Sequence, residues 1–110
     1  MEIKVNSKNF NREVLESDVP VVIEFYATDS RDCYTLDSVI STVAADFGRK
    51  VKLCKIDINK DSDLAEEYGV SEVPMLICVK DGEMVSWLTK DDIISGSSVN
   101  EYEVRGAFEL

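Results

Sequence analysis

Val21-Val22-Ile23-Glu24-Phe25-Tyr26-Ala27, running through Thr28 and Asp29 into Ser30-Arg31-Asp32-Cys33, decides how this chain folds. The first part is an almost unbroken apolar run of strand length, which belongs to a strand covered on both faces rather than one half open to water. Such a strand sits at the centre of a sheet. Ser30 then reads as a helix N-cap, and Cys33, Leu36, Ile40, Val43 and Phe47 follow at three- and four-residue spacing. Gly48 is placed to end that helix in a left-handed cap, so the pattern predicts a long helix over residues 30–47.

Upstream, Ile3 and Val5 alternate with polar neighbours as a short strand would. Ser7 is expected to cap a helix carrying Phe10, Val14 and Leu15, which Asp18, Val19 and Pro20 break. Downstream, residues 51–58 read as a second interior strand. Asp61 or Ser62 caps a short helix with Leu64, Ala65 and Tyr68, and Gly69 stops it. Two apolar runs, 75–79 and 84–88, flank Lys80-Asp81-Gly82-Glu83, and an Asp-Gly pair in that setting marks an antiparallel hairpin. Residues 91–96 read as a polar connection, and Ser98 with Glu101 as a capping box before a final helix with Val99, Tyr102, Ala107 and Phe108. Trp87 is expected to pack the fifth strand. Strand–helix alternation followed by a hairpin, with no repeat or linker, predicts one α/β domain over residues 1–110. Its layers are a mixed five-stranded sheet flanked on both faces by about four helices.

Composition bounds the chemistry. With 110 residues, 45% of them hydrophobic and 31% charged, the chain is an ordinary globular domain. Its formal net charge of -10 repels phosphate backbones and anionic lipid, so neither nucleic acid nor a membrane is an expected partner. No histidine is present, which removes a Ser/His/Asp triad, a Cys/His dyad and every histidine-based metal site. Cys33, Cys54 and Cys78 are too far apart for a zinc knuckle and odd in number for a disulfide framework, so no metal and no cofactor is expected. A reducing compartment fits these cysteines. Because Met1 to Phe10 lacks a basic-then-apolar leader layout, the expectation is a cytoplasmic monomer.

Three features, in this order, resemble thioredoxin: the strand Val22-Ile23-Glu24-Phe25-Tyr26-Ala27 leading into Ser30-Arg31-Asp32-Cys33, then Lys55-Ile56-Asp57, then Val73-Pro74 before the Asp-Gly hairpin. The likeness runs from about Val21 to Val85 and fades beyond Trp87. It implies the thioredoxin fold and a thiol-disulfide oxidoreductase type of activity in cell redox homeostasis. It also implies a protein or peptide thiol or disulfide as substrate, and a thioredoxin reductase as a further partner. The family reads Trp-Cys-Gly-Pro-Cys at the helix start, whereas this chain reads Asp29-Ser30-Arg31-Asp32-Cys33. Serine stands where the attacking cysteine would be, and an alcohol cannot form a disulfide.

Each site residue admits two readings. Cys33 is a reactive single thiol, or a small hydrophobe on the stripe with Leu36 and Ile40. Ser30 donates to a ligand, or merely caps the helix. The resemblance makes Glu24 the buried acid that exchanges protons with Cys33, with Lys55 as its basic neighbour; the alternative is an ion pair kept for structure. The resemblance also makes Pro74 the family's cis-proline, leaving the Val73 backbone open to an extended peptide. Gly96, displaced by an insertion around residues 91–94, is the first glycine available for the loop that completes the groove.

Two functions follow. One is a thioredoxin-type oxidoreductase with an incomplete site, either working through Cys33 alone or representing a Cys-Arg-Asp-Cys enzyme whose attacking cysteine Ser30 replaces. The other is a redox-inactive module that holds peptides or a protein partner beside Pro74, a reading favoured by the negative charge of Asp29 and Asp32 around the motif.

Overall fold

In a computed structural model that describes residues 2–110, β1 (Glu2–Lys4) leads through a short π-helical segment (Asn11–Leu15) to β2 (Val21–Tyr26), α1 (Arg31–Phe47) and β3 (Lys52–Asp57). α2 (Ser62–Glu67) precedes the hairpin of β4 (Met75–Lys80) and β5 (Glu83–Leu88). The chain closes with α3 (Lys90–Ile93), a small ladder of β6 (Ile94–Ser95) and β7 (Ser98–Val99), and α4 (Glu101–Phe108). The five-stranded sheet has the order β1-β3-β2-β4-β5; β1 and β2 run parallel to β3, and β4 runs antiparallel to β2 and β5. β2 is the central strand, as its apolar run requires.

Side chains alternate across that strand, and each parity feeds a separate core. Val22 packs with Leu36, Ile40 and Val43 of α1 and with Val104 and Phe108 of α4. Val21, Ile23 and Phe25 pack on the other face with Phe10, Val14, Leu64 and Ala65. Burial of each large apolar side chain stabilises the fold by roughly 1.5–3 kcal/mol, so a sheet buried on both faces explains how so short a chain holds together. The same parity turns Glu24 towards the α1 layer. Cys54 and Cys78 are buried, one in each core, with β2 between their strands.

Gly48 closes α1 at φ 57, donating its amide to the carbonyls of Ala44 and Ala45. The β4–β5 turn has Asp81 at φ 53 and Gly82 at φ 79, the two successive left-handed residues that a tight hairpin with native twist demands.

Four local expectations are corrected. Ser7 caps nothing: Asn6 Oδ1 accepts from the amides of Lys8 (2.8 Å) and Asn9 (3.2 Å), and the Ser7 amide instead donates to Asp61. A side-chain carbonyl reaching amides two and three residues ahead wins over the hydroxyl. Ser98 belongs to β7 and donates its hydroxyl to the Ser95 carbonyl, while Asn100 caps α4 through the Glu103 amide. Residues 91–96 are more than a polar connection, because α3 buries Ile93 completely against the α1 face; its start is fixed by Asp92, which accepts from the Thr89 amide at 2.9 Å. Trp87 lies on β5 but is 55% exposed and does not enter the core.

Candidate functional site

The carboxyl ends of β2 and β3, the amino end of β4 and the first turn of α1 converge at one edge of the sheet. After β2 the chain turns through residues 27–30, where the Ser30 amide donates to the Ala27 carbonyl at 3.2 Å. Ser30 is extended (φ -91, ψ 122), and its Oγ accepts the Cys33 amide at 3.1 Å. Its carbonyl accepts the first helical bond, from Tyr34. Ser30 is thus an N-cap in the full sense, satisfying a donor the helix would otherwise orphan.

Cys33, three residues on, is buried at 5% exposure. Burial pushes its thiol above the ordinary value; Ser30 and the Ala27 backbone pull it down, and the charges of Glu24 and Asp32 push it up again. The helix N-terminus is therefore not enough to make an acidic thiol here. Beside Cys33 lies a cavity of about 180 Å³, open to solvent and lined by Glu24, Tyr26, Ser30, Asp37 and Lys55 among others. Glu24 is 1% exposed, and its Oε1 has no hydrogen-bond partner among the described residues. Burial, opposed by Lys55, raises its carboxyl to about 7. Lys55 sits 4.0 Å from Glu24 Oε1 but 2.6 Å from Asp37 Oδ1, with its ammonium 5.4 Å from the Tyr26 ring centre. Burial, the largest single influence, pulls the Lys55 ammonium down, but the bond to Asp37 together with the charges of Glu24, Asp37 and Glu2 leaves it raised.

The Val73-Pro74 bond is cis. Pro74 is buried, and Met75 directly after it pairs with Phe25 at the end of β2, which places the Val73 backbone at the sheet edge where α1 begins. Beside it, Met75, Trp87, Glu72 and Lys90 line an open cleft of about 260 Å³. Lys90 reaches across the rim, 3.6 Å from Asp32 and 4.0 Å from Glu72. Gly96 is placed elsewhere: at φ 62, it turns the chain between β6 and β7 and lines neither cavity. The structure thus gathers Glu24, Ser30, Cys33 and Lys55 around one cavity and puts Pro74 at the same edge of the sheet.

A family model described as Thioredoxin matches residues 1–101 of this chain. The thioredoxin of Rickettsia bellii is 34% identical over 83 residues, covering 76% of this chain and 79% of that protein. The thioredoxin of Pseudomonas aeruginosa is 33% identical over 82 residues, covering 74% and 76%, and thioredoxin C-2 of Corynebacterium nephridii is 30% identical over 84 residues, covering 76% and 78%. The chain belongs to the thioredoxin family. Its architecture is the thioredoxin fold, and the oxidoreductase character of the family is the coarse function that goes with it.

Within this thioredoxin-family frame, two residues at the site escaped the sequence reading. Asp37 was detectable as the residue four beyond Cys33, one helical turn along on the same face. Lys90 carried no signal, because its approach to Asp32 depends on where α3 starts. Among the described residues, no cluster of three or more acidic or cysteine side chains is arranged for a metal, and no helix is long and apolar enough to cross a membrane.

Proposed function

We propose that this protein is a single-thiol member of the thioredoxin family, which takes disulfide- or thiol-bearing protein segments at the Val73-Pro74 edge and does not run a two-cysteine cycle. The observation that carries this is the bond from the Cys33 amide to Ser30 Oγ, which puts an alcohol oxygen at the helix start. Cys54 and Cys78 cannot substitute for the missing sulfur, since each is buried in a core and neither lines the cavity. The chemistry open to Cys33 is one exchange: its thiolate attacks a substrate disulfide, a Cys33–substrate disulfide forms, and the other substrate sulfur leaves as a thiolate that takes up a proton. Release then requires an external thiol. With no disulfide of its own to reduce, the chain offers a thioredoxin reductase no substrate in this reading.

A second reading, a peptide-holding module without redox chemistry, is favoured by the 5% exposure of Cys33 and its raised thiol. Incubation with a cystine-containing peptide followed by intact-mass measurement separates the two. One peptide adduct per chain, located on Cys33, supports the single-thiol reading. Reversible peptide binding without an adduct supports the module, and neither binding nor adduct rejects both.

A further inference from the structure

Glu24 and Lys55 are register partners on the parallel strands β2 and β3. A carboxyl so deeply buried would ordinarily take the nearest cation, because an unpaired charge in an apolar interior is costly. Lys55 nevertheless keeps Glu24 only at the outer limit of an ion pair and gives its hydrogen bond to another carboxylate. Its Nζ is 2.6 Å from Asp37 Oδ1 and 4.0 Å from Glu24 Oε1, and that Glu24 oxygen is left without a hydrogen bond among the described residues. Asp37 projects from α1, and its carboxylate is half exposed, so it keeps contact with water while binding the lysine.

We propose that Asp37 is a positioning residue: it captures the Lys55 ammonium and holds it at the limit of ion-pair distance from Glu24, leaving the buried carboxyl without a hydrogen bond in the cavity it shares with Cys33. The groups facing Glu24 are Lys55 from β3, Asp37 and Cys33 from α1, Tyr26 from β2 itself, and Glu2 from β1, which is occupied by the Ser41 hydroxyl at 2.8 Å. β4 contributes only Leu76 opposite it. Lys55 is the single cation in this set, so its placement decides whether Glu24 is a fixed anion or an exchangeable acid. With the lysine held away, burial dominates and the carboxyl titrates near 7, where it can accept a proton. The significance for Cys33 rests on the single-thiol reading; the arrangement itself does not.

The test follows the Glu24 carboxyl by carbon NMR from about pH 4 to about pH 9 in the parent, Asp37→Asn, Lys55→Met and the double variant. Asp37→Asn should lower the Glu24 midpoint by about one pH unit, a tenfold change in protonation ratio, as Lys55 swings onto it. Lys55→Met should raise it. In the Lys55→Met background, Asp37→Asn should shift the midpoint by less than half as much, and Asp37→Glu should keep the parent value. Equal shifts in the two backgrounds would mean that Asp37 acts by direct repulsion, and an unmoved midpoint in Asp37→Asn would mean that it does not act; either overturns the proposal. Asp37 is on the surface, so its replacement leaves the core intact, and amide spectra confirm folding of every variant. A negative adduct assay leaves this result standing.

Discussion

Ser30 and Cys33 are joined by one hydrogen bond, amide to hydroxyl at 3.1 Å, which closes the first turn of α1. In the proposed reading the same oxygen stands where a two-cysteine cycle would need its attacking sulfur. Replacing it separates the two roles. Ser30→Ala should lower stability by about 1 kcal/mol, the usual cost of an N-cap, read as a lower urea midpoint at unchanged slope. An unmoved midpoint would mean that the cap is ornamental.

Glu24 makes stability fall as pH rises. Its folded carboxyl titrates near 7, above the ordinary value of 4.5, so below about 4.5 both folded and unfolded forms hold the proton. Between about 4.5 and 7 only the folded form holds it, and folding weakens progressively through that window. The full effect is on the order of 3 kcal/mol. Denaturation of the parent and of Glu24→Gln at both ends of the window should show the parent losing ground by about that much relative to the glutamine variant. A pH-independent difference would place the carboxyl in water.

Cys33 should react slowly with iodoacetamide at neutral pH, with a labelling midpoint above that of a free thiol, because burial and the Glu24 and Asp32 charges oppose the thiolate. Cys54, pushed up to about 12 by burial, should not label at all in the folded protein. A Cys33 midpoint below about 7 would show that the helix N-terminus overrides the acids.

Gly82 at φ 79 is the second left-handed residue of the β4–β5 turn, and a Cβ there would stand 3.1 Å from the Leu15 carbonyl oxygen. Gly82→Ala should therefore destabilise by more than about 1 kcal/mol, measured by thermal or urea unfolding. A neutral substitution would show that the turn rearranges freely.

The parts of this structure legible in the sequence are those written in local pattern. The unbroken run of β2, the stripe from Cys33 to Phe47 and the Asp81-Gly82 turn each name their own conformation. Ser7 reads as a cap from its residue type alone, and only the path of the loop gives the amides of this turn to Asn6 instead. Ile93 follows two acids and adjoins Ile94 in a segment too short for periodicity, yet it fills the α1 core. The family resemblance names Glu24 and Cys33 together, and the fold brings both to one cavity. The diversion of Lys55 to Asp37 was not legible, because it depends on a strand and a helix meeting at a register that neither segment encodes alone.

The central claim, that the two-cysteine cycle is absent because Ser30 holds the attacking position, is tested most directly by dithiothreitol-driven insulin reduction, run side by side with this chain and with Ser30→Cys. The account predicts that the parent, limited to slow exchange of a Cys33 mixed disulfide with dithiothreitol, accelerates the reaction far less than the cysteine variant. Turnover by the parent at the rate of an ordinary thioredoxin would contradict it, because one thiol would then suffice for the full cycle.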